Sequence, residues 1–408
     1  MHTAEGAAPP RSARHATAYV VTHYLLMYLG YYGLISTLVV TLKAASFTDA
    51  RVAVLVMVFA LTNKISNIPL APLLDRIPAA YSVLIGCLVA SGGFVGLRFA
   101  SGMVATVVAL GVAGIGISVN ALASKQLAAA ASDRIENQSQ LFSLISIGVN
   151  VAAAVAAPLA LLFVDRGQHG WVLLAVALLY GVAGVATFLN RRIVPVAASA
   201  SKRAFSVRTY TALARTPGVR EFLLVNMFYW FLYGQLFNVL AVYVSQDLHE
   251  ADRLGWLYTA NAALVVVAQL AVTRMAGAWS RGSQLNTVVA SYSVFAVGFA
   301  VAWAMPGYWG AVAFVVVFTT AEMLYVPAGD VVIVRLIPQG DRAVGYSVFA
   351  VSTAIGEALG AGAGVWTYRW FAEDGVFWLL AAVLAVVFTI VTHLLRRSSA
   401  GLRAAAAG

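Results

Sequence analysis

Long apolar runs alternate with short polar breaks along most of this chain, from about residue 18 to residue 395. A helix that crosses a bilayer takes ~20 mostly apolar residues, and in lipid the backbone N–H and C=O groups find partners only within the helix itself. Twelve runs reach that length: 18–42, 51–73, 80–100, 103–124, 141–164, 170–190, 222–245, 255–277, 285–305, 309–336, 343–367 and 375–395. Only RFASGM divides the third from the fourth, yet the two together are far too long for a single crossing. The pattern predicts an all-α polytopic membrane protein with twelve transmembrane helices.

The longest polar break, 191–221, contains PVAASASKRAFSVRTYTALARTPGV and falls between the sixth and seventh spans. It divides the chain into a tail (1–17), a six-helix bundle (18–190), a linker (191–221), a second six-helix bundle (222–395) and a second tail (396–408). An internal repeat supports the division. SKQLAAAASDRIENQSQLFSL after span four has the layout of AGDVVIVRLIPQGDRAVGYSV after span ten, and Ser143 corresponds to Ser347 at an offset of 204. Repeats of this kind are how many transporters build alternating access around a midplane site.

Composition agrees with the pattern: 61% of residues are hydrophobic and 10% charged, which excludes an ordinary soluble domain. The net charge of +10 is read by location rather than as a nucleic-acid signal, because basic residues collect on the cytoplasmic side of polytopic proteins. Nineteen Lys and Arg share the side of the termini and six lie on the other, with Lys64 inside a span. Both termini and the 191–221 linker are therefore expected in the cytoplasm of a multi-pass cell-membrane protein, in contact with lipid and with no nucleic-acid partner. The other loops are too short to hold a receptor or catalytic domain. Cys87 is the one cysteine, so no disulfide forms within the chain, and the six histidines have no ligand spacing, so no metal or cofactor is expected. The first eighteen residues lack an apolar core with a cleavage site and are expected to be a cytoplasmic tail.

Charge inside the spans carries the candidate chemistry. A carboxylate in the hydrocarbon costs at least a few kcal/mol unless it is protonated, paired or wet. Glu322 lies between WGAVAFVVVFTTA and VVIVRLI, at the fourteenth residue of its span. Lys64 is the fourteenth residue of span two and Glu357 the fifteenth of span eleven, so the three share roughly one depth. Two readings stay open for Glu322, a protonatable transport site or a neutral packing residue. Two stay open for Lys64 and Glu357, a functional charge pair or a static buried bridge.

Softer candidates surround them. Tyr24, Tyr28 and Tyr31 share one face of span one and can wall a cavity, although lipid-interface anchoring fits Tyr24 equally. Gln235, Asn238, Asn261 and Gln269, with Asn63, Asn67, Asn120 and Asn150, offer hydrogen bonds for a ligand or for neighbouring helices. Gly356, Gly360 and Gly364 would let span eleven pack closely, and Asp330 is read as interface chemistry.

AEMLYVPAGD, the loop IPQGDRAVGYSVF and the glycine-rich IGEALGAGAG resemble spans ten and eleven of the major facilitator superfamily, in its twelve-span drug:proton antiporter branch. That resemblance implies two pseudo-symmetric bundles, with spans two and eleven touching across the halves and span ten facing a central cavity. An acidic residue before Tyr-x-Pro, as Glu322 stands before Tyr325, also fits that branch. Taken with the charges and polar residues above, Glu322 and Glu357 are expected as the proton-coupling residues, with Lys64 responding to their charge, and Lys64, Glu322, Tyr28, Tyr31, Gln235, Asn238, Asn261 and Tyr325 as the substrate contacts. Asp75 and Arg76 match the family's gating loop after span two, although the loop's glycines and following basic pair are absent. The proline-ended glycine motif of span five is reduced to Pro158, and no carboxylate lies within a span of the first half. The expectation is a monomeric, proton-coupled exporter of a small amphipathic organic compound, with no cofactor. The alternatives are a proton-linked importer or facilitator of a metabolite and, remotely, a polytopic membrane enzyme.

Overall fold

The computed structural model describes residues 11–195, 206–371 and 375–407, so the expectations for residues 1–10 and 196–205 lie outside the described residues. It is helical throughout the described residues, with twelve helices or helix pairs long and apolar enough to cross a bilayer. They are α1 (Arg11–Ala44), α2 with α3 (Asp49–Ile65, Asn67–Leu74), α4 (Ala79–Phe99), α5 (Gly102–Ser132), α6 (Gln138–Asp165) and α7 (His169–Leu189). After the short α8 (Val207–Ala214) come α9 with α10 (Val219–Phe237, Val239–Val242), α11 (Leu254–Trp279), α12 (Gln284–Ala304), α13 (Tyr308–Leu336), α14 (Arg342–Phe371) and α15 (Val376–Ser398). The run read as a C-terminal tail holds one more helix, α16 (Ala400–Ala407), and Arg335 donates to the Ala405 carbonyl within it at 3.2 Å.

Two spans are interrupted for local reasons. Pro69 has no N–H to return to the Ile65 carbonyl, so the second span breaks at Ser66 and restarts as α3, with Pro69 in the first turn where no N–H is required. The seventh span breaks at Asn238, whose amide turns back to the Gly234 carbonyl at 2.7 Å, and runs on through α10 into a wide turn at Tyr243–Asp247.

The chain separates into two compact units, Met1–Leu141 with Val155–Lys202, and Phe142–Ala154 with Arg203–Gly408. In the first, α4 packs on α5 and α7, α1 on α7, and α2 on α5. In the second, α12 packs on α13 and α15, α9 on α14, and α11 on α13. The repeat appears in the helix ends: α5 stops at Ser132 and α13 at Leu336, while α6 starts at Gln138 and α14 at Arg342, each pair offset by 204.

Small residues set the closest contacts. A Cβ on Gly360 would lie 2.5 Å from the Phe231 carbonyl oxygen, and one on Gly356 2.5 Å from that of Met227, so α14 lies almost backbone to backbone on α9. In the first unit, a Cβ on Gly93 would meet the Ala113 nitrogen at 2.5 Å.

Candidate functional site

Glu322 sits midway along α13 and is 6% exposed. Burial of a carboxyl demands donors, and two neighbouring helices of the same unit supply them. From α11, Asn261 Nδ2 donates to Oε2 at 2.9 Å, and from α9 the Tyr233 hydroxyl reaches Oε1 at 3.4 Å. The same Asn261 nitrogen donates to Thr319 Oγ1 at 2.9 Å, one turn back on α13, so both its hydrogens are used beside the carboxyl. Thr319 in turn donates to the Val315 carbonyl at 2.6 Å, which fixes its lone pairs toward Asn261.

Aromatic rings wall this polar cluster. Tyr233 packs against Trp230 at 5.3 Å between ring centres and against Phe318 at 6.1 Å. Tyr229 and Tyr325 stack face to face, 3.6 Å apart and within 5° of parallel. Beyond Tyr325 a second hydrogen-bonded group begins. Its hydroxyl meets Asn226 Oδ1 at 3.4 Å, and Asn226 Nδ2 donates to Thr353 Oγ1 at 3.0 Å and Ser352 Oγ at 3.3 Å. Gln269, about two turns along α11 from Asn261, donates to the Met323 carbonyl at 2.9 Å and to Thr273 at 3.1 Å. A carboxyl held by neutral donors and bounded by aromatic faces can bind either a proton or a cationic or polar group of a ligand.

The first unit carries a polar cluster of a different kind. His23 on α1, 2% exposed, lies between Ser124 Oγ of α5 at 2.7 Å from Nε2 and Thr187 Oγ1 of α7 at 2.9 Å from Nδ1. Ser124 donates to the Asn120 carbonyl at 2.6 Å, Cys87 reaches Asn120 Oδ1 at 3.4 Å, and Tyr19 donates to the Thr187 carbonyl at 2.7 Å. On the next turns of α1, Tyr24 stacks on Tyr28, which contacts Tyr31 and Tyr32 with ring centres 6.0 and 5.6 Å away. Tyr24 is buried, while Tyr28 and Tyr31 are half-buried.

The sequence profile of the Major Facilitator Superfamily matches residues 20–319 and, in a second match, residues 222–407. The chain belongs to that superfamily. A relative from Bacillus subtilis (strain 168), "Uncharacterized MFS-type transporter YttB", is 25% identical over 287 residues, 70% of each chain. Among solved structures, a bacterial homologue of the iron transporter ferroportin in an outward-facing state superposes with a TM-score of 0.77 at 11% identity, covering 94% of this chain and 99% of its own. The E. coli fucose:proton symporter gives 0.73 at 15% identity, with 94% and 99% covered. Superfamily and fold make this a multi-pass secondary transporter rather than an enzyme.

The other residues expected at the site of this superfamily member take the following places within their own units. Gln235 is buried and ties α9 to α14, its Nε2 donating to the Phe231 carbonyl at 2.7 Å and to that of Gly360 at 3.1 Å. Asn238 caps the broken seventh span, and Glu357 is half-buried on α14. Lys64 occupies the last turn of α2, immediately before the break, and is exposed. Asp75 ends α3 and accepts from Gln126 Nε2 of α5 at 2.9 Å, while Arg76 is exposed.

Tyr233, Thr319, Asn226 and His23 escaped the sequence reading. For α9 a signal existed: Asn226, Tyr229 and Tyr233 fall at i, i+3 and i+7 and form one polar-tipped stripe. For His23 there was none, since a lone histidine in an apolar run has no periodic partner.

Proposed function

We propose that this transporter exports a small amphipathic organic compound in exchange for protons, by alternating access, with Glu322 as the shared site. The observation that carries this reading is a buried carboxyl on α13 whose two oxygens are held by the Asn261 amide and the Tyr233 hydroxyl. One acid in a low-dielectric site binds a proton or the cationic or polar end of a substrate, and mutual exclusion at one group is enough for exchange. Each conformational passage then carries one or the other, and the proton gradient sets the direction of net flux.

Asn261, Tyr325, Tyr28, Tyr31, Gln235 and Asn238 contribute substrate contacts in this reading. Lys64 and Glu357 respond to the charge state, with Glu357 as a second proton-coupling group, and Asp75 with Arg76 gates. The chain works as a monomer in the cell membrane, both termini in the cytoplasm, as the distribution of Lys and Arg supports. A proton-linked importer is the second reading, favoured by the structural likeness to a fucose:proton symporter.

Proteoliposomes loaded with a cationic dye or with candidate metabolites, with and without an imposed pH gradient, separate the two readings. Efflux that follows an opposing proton gradient supports export by exchange. Accumulation together with protons replaces it with import.

A further inference from the structure

One hydroxyl beside the Glu322 cluster is buried and unsatisfied. Tyr229 is 0% exposed, and its Oη meets no hydrogen-bond partner among the described residues. Burying a hydroxyl in that state forfeits ~1–3 kcal/mol, and a phenylalanine would fill the same space without that cost. The ring itself is held firmly by the Tyr325 stack and by Phe295 and Tyr233, with ring centres 5.8 and 5.6 Å away.

Its position is fixed from two directions. On α9 it stands one turn from Tyr233, whose hydroxyl reaches Glu322, and its stacking partner Tyr325 stands one turn from Glu322 on α13.

We propose that Tyr229 is the positioning residue for the proton-bearing form of Glu322, an inference that rests on reading Glu322 as the proton site. As placed, the two groups bonded to the carboxyl, the Asn261 amide and the Tyr233 hydroxyl, both donate, an arrangement that suits an ionised carboxylate. A protonated carboxyl has an O–H of its own and needs an acceptor. Tyr229, one turn from Tyr233 on α9 and stacked on Tyr325 of α13, offers two lone pairs on its Oη. With the proton bound, the Glu322 O–H donates to Tyr229; with the proton gone, the carboxylate returns to its two donors. The proton stays on Glu322 through this rearrangement, and Tyr229 remains a neutral phenol.

Nearest in register to this site, the titratable groups are Tyr229 and Tyr233 on α9, Tyr258 on α11, Tyr292 on α12, Tyr325 and Asp330 on α13 and Glu357 on α14, with Arg220, Glu221, Arg274, Tyr308, Arg335, Arg342, Tyr346, Tyr368 and Arg369 toward the ends of those helices. From α11 the neutral Asn261 and Gln269 also bond toward α13.

Tyr229→Phe keeps the ring and its stack and removes only the hydroxyl. The full-length chain, in wild-type, Tyr229→Phe and Glu322→Gln forms, is reconstituted in proteoliposomes with ethidium as the probe. Gradient-driven flux is measured across pH, together with dye exchange at equal pH on both sides. Loss of one hydrogen bond to the protonated form lowers its population about tenfold at a given pH. The expected result for Tyr229→Phe is a driven-flux profile moved about one pH unit toward acid, with dye exchange still measurable and an unfolding temperature at or above that of the wild type. A proton-coupled wild type whose profile coincides with that of Tyr229→Phe overturns this inference alone, as does a variant in which driven flux and exchange fall together with an unmoved profile. A wild type whose flux ignores the pH gradient overturns the reading of Glu322 and this inference with it.

Discussion

Asn261 Nδ2 lies 2.9 Å from Glu322 Oε2 and 2.9 Å from Thr319 Oγ1, so a single amide on α11 orients a carboxyl and a hydroxyl one turn apart on α13. The amide supplies a donor to the ionised carboxylate and nothing to the O–H of the acid. Removing it therefore penalises the charged form.

For Asn261→Ala the expected outcome is a proton held to higher pH. The driven-flux profile moves about one unit toward alkaline, opposite in sign to Tyr229→Phe. Flux measured across pH in proteoliposomes checks the sign. Shifts in the same direction for both variants contradict the assignment of donor to one and acceptor to the other.

His23 joins three helices through Ser124 and Thr187. His23→Ala removes the partner of the Thr187 hydroxyl and one of the bonds of Ser124 and leaves a void beside them, at a cost of about 2–4 kcal/mol. The expected result is a lower unfolding temperature in detergent. An unchanged transition would mean that the first unit does not depend on this cluster.

Gly360→Ala brings a methyl to 2.5 Å from the Phe231 carbonyl oxygen, whereas Gly362, two residues on, has nothing within 4 Å of its would-be Cβ. The first substitution is expected to reduce the folded yield and the melting temperature, with the second close to wild type in size-exclusion and thermal assays. Equal behaviour of the two would remove the close α9–α14 approach as a determinant of the fold.

Much of this architecture is written in the apolar runs, because lipid allows few alternatives to helices and charge inside a span stands out against its surroundings. Glu322 was legible for that reason, and the repeat was legible in the matching windows around Ser143 and Ser347. What stayed hidden depends on distant partners. His23 meets side chains 101 and 164 positions away, and only the packed bundle brings them together. Gln235 and Asn238 read as bonding either a ligand or neighbouring helices, and composition does not separate the two uses; their amide nitrogens bond backbone carbonyls. The break at Ser66 was implicit in Pro69 and becomes evident once the carbonyl of Ile65 is followed.

The proposed orientation has its own check. In a Cys87→Ser background, a cysteine in place of exposed Asp252 is expected to react with a membrane-impermeant maleimide on intact cells. One in place of exposed Arg403 reacts only after permeabilisation. The reverse pattern would invert the topology.

The central claim is that proton and substrate compete for one carboxyl, and Glu322→Gln tests it most directly. Glutamine keeps the size of the side chain and an acceptor for Asn261 but cannot exchange a proton. In proteoliposomes the variant is expected to lose gradient-driven transport while remaining folded and still exchanging a neutral substrate. Gradient-driven transport equal to that of the wild type would contradict the account and leave Glu322 as a buried packing residue.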